Sequence, residues 1–401
     1  MICILDFGTS KISSILVKDG DTKPEILAFS SVETSGIKTG SIINIALTST
    51  DISKSINQLE AQSGEKIKDV IVCFSGEHIS SFNSSGAAII RQKEVTARDV
   101  QAALNMSSTM KTPSGKTLLY VSPNEYIIDK EPGVAEPIGM NGVKLEAITH
   151  LVYCSQNAKE NIAKCVEEMN DLRIKKFYFN QLGAAESTLN IDQKDLGVCL
   201  LDIGAGTTDL SIYKEGSIRF SKVFPYAGDY ITETIATSLN ITSTQAEEIK
   251  KKYGSIDLDP DSEDTLKIIG INGNREIEIS RKTLSEIIEQ SLTRIIRHSH
   301  SCIEDNGMLN YIPNGYVLTG GTANLQGIQK LGESITKKRF EIGLPLVEKP
   351  SKSEQLIKPQ FSTILGMIKF CALERNKQFT FNQSRGIIGR MLEWFRSEFG
   401  T

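Results

Sequence analysis

The chain is 401 residues long, with one tryptophan, four histidines and seven cysteines, none of the cysteines in CxxC spacing. An odd count without that spacing excludes a disulfide framework and argues against a structural zinc site. A reducing compartment is expected. No run of about 18 apolar residues occurs, so no helix is expected to span a membrane. The net charge of −4 gives no reason to expect nucleic acid as a partner. The chain opens on a strand-like run, Ile2 to Leu5, so no signal peptide is expected before the fold. Two tempting motifs are incomplete. "PSGKT" at 113–117 lacks the glycine of a phosphate loop, because position 110 is Met. "DLDPDSED" at 257–264 begins like a calcium loop but has Ser262 at the sixth position and Ile268 at the twelfth. His298 and His300 lie two apart on an expected helix and face different sides, so they are not read as a metal pair.

What is present is ordinary in bulk and repetitive in detail. Apolar residues make up 39% and charged residues 23%, as in globular proteins. The length calls for two or more domains. "CILDFGTSKISSIL" at 3–16 and "CLLDIGAGTTDLSIY" at 199–213 repeat one design. An apolar run ends in an acid (Asp6; Asp202). A turn of small and hydroxyl residues follows (Gly8, Thr9, Ser10, then Lys11; Gly204, Ala205, Gly206, Thr207, Thr208). A second apolar run closes a hairpin. Such turns can aim N–H groups and hydroxyls at phosphate oxygens. The acid can hold Mg²⁺ through water, because that ion keeps much of its hydration shell. Two facing copies would clamp one polyphosphate. A third element, "YVLTGGTANLQGI" at 316–328, reads as a strand, a Gly320–Gly321 turn continuing into Thr322, and a helix whose N-terminus attracts anions.

In order and spacing, these three elements resemble the actin-type ATPase superfamily of actin, chaperone ATPases, sugar kinases and bacterial relatives. The resemblance implies an α/β, duplicated, two-lobed fold binding ATP and Mg²⁺, with Asp6 and Asp202 on the metal. It also implies roles for four further residues. Gln181, in "NQLGAAES", would position the attacking water. Glu247 and Lys250, one helical turn apart in "AEEIKKKYG", would face the adenosine. Gly228, in "PYAGD", would approach the phosphates.

Residues 83–160 carry no nucleotide motif, and "NEYIIDKEPGVAEPIGMNGVKLEAITHLV" within them is similar to the subdomain peculiar to the FtsA family of bacterial cell-division proteins. The similarity runs along nearly the whole chain. The expected organisation follows. A first core lobe takes 1–82 and 161–195, interrupted by the 83–160 insertion, and a second takes 196–228 and 306–375. A mainly helical subdomain covers 229–305, a linker 376–384 and an amphipathic helix 385–401. Placed at helical steps, Trp394, Ile387, Met391, Phe395, Ile388, Phe399 and Leu392 share an arc of roughly 160°, interrupted only by Glu398. Arg385 and Arg396 border one edge and Arg390 lies beyond the other, where their charges can snorkel toward lipid headgroups.

The resemblance implies a peripheral membrane protein at the division site that self-associates, partly through the insertion, and tethers FtsZ filaments. The helical subdomain would receive the FtsZ C-terminal tail, with Arg281, Arg294 and Arg297 offered to an acidic peptide. Other division proteins are further implied partners. Catalysis is expected to amount to slow ATP turnover at most, because the sequence offers no clear general base. Two alternatives stay open: an adaptor ATPase of a pilus or secretion assembly, and a sugar-kinase-type phosphotransferase. The terminal helix is the feature that separates them from the first reading.

Overall fold

A computed structural model describes residues 1–18, 24–109, 112–257, 264–270, 276–346 and 354–383. The expected amphipathic helix at 385–401, with the apolar and arginine residues named for it above, lies outside them.

Two five-stranded sheets form the frame, and they are built alike. In the first, the strands run Arg173–Phe179, Asp69–Phe74, Ile2–Phe7, Lys11–Lys18 and Glu25–Glu33. In the second, the matching order is Phe340–Ile342, Tyr316–Thr319, Val198–Ile203, Thr208–Lys214 and Ser217–Phe224. Each sheet therefore joins a three-stranded antiparallel meander to two parallel strands. The central strands are apolar on both faces because helices cover both sides. One apolar core is shared by both sheets, taking Val198, Leu200, Tyr213 and Val317 from the second, and another is built on the second sheet alone.

One helix from each half crosses beneath the two sheets: Asn180–Thr188 and Ser362–Gln383. The crossing is tight enough to exclude side chains, since a Cβ on Gly366 would lie 1.8 Å from the Gly183 carbonyl oxygen. The longer helix runs on to Gln383 through most of the segment expected to be a linker. The reason is compositional: "NKQFTFNQ" contains weak helix formers but no Gly or Pro to stop the helix.

The insertion is an antiparallel sheet ordered Ser80–Ile89, Lys144–Ser155, Lys116–Ile128 and Glu131–Val134, with helix Ala97–Thr109 on one face. It leaves the chain from the first lobe yet bonds to the second lobe's edge strand. Ser81 Oγ donates to the Ser221 carbonyl (2.7 Å), Asn83 Nδ2 donates to the Arg219 carbonyl (3.1 Å), and His150 Nε2 meets Ser221 Oγ (2.9 Å). Burial lowers the His150 pKa to about 4, so this seam is held by a neutral ring.

Candidate functional site

The two hairpins face one another across a cleft of about 430 Å³. Asp6, Gly8, Thr9, Ser10 and Lys11 line it from one side. Asp202, Gly204 and Thr207 line it from the other, with Gly228, Glu247, Lys250, Gly320, Gly321 and Thr322. The turns touch, with the Thr9 side chain packed on Gly206. Gly206 is thus the contact between the tips and is not itself a lining residue. The adenosine-type turn is bound to the second hairpin: Thr322 Oγ1 donates to the Gly204 carbonyl at 2.9 Å. Gly320 is required there. Its φ is +86°, and a Cβ would lie 2.3 Å from Asp202 Oδ1.

Three expected residues do different work. Gln181 is fully buried and does not line the cleft. Its Nε2 donates to the Asp209 carbonyl (2.9 Å) and its Oε1 accepts from Ser211 Oγ (2.6 Å). Water positioning by Gln181 is therefore withdrawn. One residue earlier on the helix, about 100° around its axis, Asn180 lines the cleft instead and donates to Asp6 Oδ1 at 3.2 Å. Thr208 points away, its hydroxyl spent on the Tyr226 carbonyl at 2.6 Å, because it is a buried strand residue rather than part of the turn. The Lys250 ammonium reaches the Gly228 carbonyl (2.9 Å), Thr232 Oγ1 (2.7 Å) and Glu247 (2.6 Å). Its donors are occupied, so Lys250 shapes the Gly228 loop from behind.

The electrostatics are dominated by an acid that the sequence reading overlooked. Asp209 is the direct cross-strand partner of Asp202, so both side chains share the cleft face. Desolvation raises all three acids: Asp6 to about 6, Asp209 to about 7 and Asp202 to about 8. For Asp202, Asp209 and Asp6 push in the same direction, while Thr363 and Lys11 oppose. Lys11 is the opposing cation between the lobes. Its Nζ donates to the Gln360 carbonyl at 3.2 Å and stands 4.0 Å over the Phe361 ring. Burial brings its pKa down to about 8, against the pull of Asp6 and Asp202. Asn180 Oδ1, Ser75 Oγ and Asp209 Oδ1 are buried without hydrogen-bond partners.

This donor set fits a hydrated cation. Among the described residues no three His, Cys, Asp or Glu side chains converge closely enough to ligate a metal directly. Mutually repelling acids and orphaned oxygens around a polar gap instead suit an ion that keeps its waters. The signals for the missed residues were in the sequence. Asp209 is an acid inside the apolar returning strand of the second hairpin, and Ser75 follows the strand parallel to the first, where ligand-binding positions gather.

The arginines offered to an acidic peptide are separated. Arg294 and Arg297 share a surface groove with His298, where the Arg294 guanidinium lies 5.5 Å from the Tyr230 ring and 5.9 Å from Tyr226. Arg281, at the far end of the same helix, pairs with Asp264 at 3.3 Å. Arg294 lies thirteen positions further along the chain. That puts it roughly 20 Å away on a different face.

Duplicated meanders, crossing helices and a cleft between hairpin turns define the class of protein as actin-like. Solved structures agree on the fold. A PilM–PilN type IV pilus biogenesis complex matches with a TM-score of 0.67 at 17% identity, covering 92% of this chain and 98% of that one. MreB 5 of Spiroplasma citri bound to AMPPNP matches with a TM-score of 0.56 at 16% identity, covering 94% and 98%. Sequence comparison goes further. The family model described as cell division protein FtsA matches residues 199–366, and the SHS2 domain inserted in FtsA matches 76–153. The cell division protein FtsA of Pseudomonas aeruginosa is 35% identical over 92% of this chain and 89% of its own length. That of Neisseria meningitidis is 32% identical over 99% and 98%. The chain belongs to the FtsA family of cell-division proteins.

Proposed function

We propose that the chain binds ATP with Mg²⁺ between its lobes, self-associates, and holds FtsZ filaments of the division ring to the cytoplasmic face of the membrane through its terminal helix. One observation carries the reading: both hairpin acids and the Gly320–Thr322 turn open into one cleft, in a chain related to FtsA proteins over nearly its full length. Mg²⁺, when bound, supplies positive charge to the phosphates. Asp6 and Asp202 hold its waters, Asn180 and Lys11 fix Asp6, and Gly320 leaves room for Asp202. Gly8 to Lys11 with Gly204, Ala205 and Thr207 take the phosphates, and Glu247, Gly321 and Thr322 the adenosine end.

The groove at Arg294 and Arg297 suits the acidic tail of FtsZ. Its two guanidinium groups, that of Arg294 held against the Tyr226 and Tyr230 rings, suit carboxylate side chains. Arg281 takes no part. Each terminal helix binds lipid reversibly, so a filament of many copies is retained far more firmly. The pilus-adaptor alternative rests on fold likeness alone. A sugar-kinase-type phosphotransferase would have no use for the arginine-edged apolar arc of the tail.

Co-sedimentation with anionic lipid vesicles tests the reading, using FtsZ, ATP and Mg²⁺ with the full chain or one truncated after Ser384. FtsZ should pellet with vesicles only beside the full chain. Equal pelleting with both would remove the membrane role.

A further inference from the structure

At the hairpin-tip end of the cleft stands Ser75, which has no phosphate contact assigned to it above. Ser75 is 3% exposed and lines the cleft. Its hydroxyl makes no well-formed hydrogen bond; the acceptor within its reach is the Asp209 carboxyl of the other lobe, whose pKa Ser75 and Thr207 draw down against desolvation. Asp209 Oδ1 is likewise without a well-formed partner. A poorly bonded buried hydroxyl and a carboxyl oxygen from opposite lobes thus flank one gap, and a ligand oxygen there would complete the bond.

The neighbours identify which part of a nucleotide would arrive there. Gly40 packs against the Ser75 carbonyl and Gly76, and the Gly40 N–H donates to Thr9 Oγ1 at 3.1 Å. Thr9 in turn packs on Gly206. Ser75 therefore belongs to the paired phosphate turns, whereas the adenosine-type turn is bonded behind Gly204. Ser75 also begins the crossing into the insertion. Glu77 N–H donates to the Thr39 carbonyl (3.3 Å), Lys116 of the insertion bonds the His78 carbonyl, and the first insertion strand starts at Ser80.

We propose that Ser75 is a specificity-determining residue, whose hydroxyl donates to the terminal phosphate of a bound nucleoside triphosphate and so distinguishes it from a diphosphate. This rests on the nucleotide reading above.

The test measures affinities of the full chain for ADP and for a non-hydrolysable ATP analogue, both with Mg²⁺, in the parent, Ser75→Ala and Ser75→Cys. The parent should prefer the triphosphate. Ser75→Ala should reduce that preference about ten-fold, the worth of a hydrogen bond to a charged group, with ADP affinity unchanged. Ser75→Cys keeps the volume but only a weak donor, and should lose most of the same preference. An unaltered preference in both variants overturns the role of Ser75. A parent that binds neither nucleotide overturns the nucleotide reading itself.

Discussion

The two hairpins share strand order, a terminal acid and a small-residue turn, but they differ at one cross-strand position. Opposite Asp6 stands Ser13; opposite Asp202 stands Asp209. Asp6 also has close support, from Asn180 at 3.2 Å and from the Lys11 charge, and its pKa rises only to about 6. Asp202 faces a second buried acid, has only a distant hydroxyl (Thr363, 3.5 Å), and rises to about 8. The duplicated frame is therefore electrically lopsided. Beside its strand-end acid the first half sets a cation, Lys11, and the second sets another acid, Asp209. A hydrated divalent ion between them relieves the second half more than the first.

The comparison can be broken most severely by making the first hairpin imitate the second. Ser13→Asp would bury a second acid beside Asp6, and should destabilise the ligand-free chain at pH 7 by about 3 kcal/mol, read by denaturant unfolding. A loss under 1 kcal/mol would mean the position is wetter than the structure indicates. Next in size are the acids themselves. Asp202→Asn and Asp6→Asn should each weaken Mg²⁺-dependent nucleotide binding, by about 10–100-fold. Titration calorimetry with and without EDTA should show little change in the Mg²⁺-free affinity.

The last test concerns pH. Acids whose folded-state pKa exceeds the unfolded value take up protons on folding, so stability declines as pH rises from about 4 through the folded values of about 6 to 8. The ligand-free melting temperature should fall over that range. Asp209→Ser, which makes the second hairpin resemble the first, should flatten the fall. A slope unchanged in that variant would detach Asp202 from Asp209.

Much of the frame was legible because it is local. A strand, an acid, a glycine turn and a returning strand are contiguous, so both hairpins and the Gly320 turn could be read from short stretches. Misreadings arose where rotation or packing decides. Gln181 and Asn180 are adjacent in sequence, and only the helix's seating against its partner turned Asn180 into the cleft. Lys250 has the expected spacing from Glu247, but its ammonium is consumed by the loop it supports. Arg281 and Arg294 share a helix, yet not a face.

By itself, the sequence determined the duplication, the acids at the strand ends and the apolar arc of the tail, because each depends on residues within a turn or two of one another. Only the tertiary structure decided which oxygens meet in the cleft. Ser75, Asn180, Gln360 and Asp209 come from distant segments, and their convergence is set by how two sheets and two crossing helices pack. The Gly183–Gly366 contact, where no side chain fits, fixes that crossing.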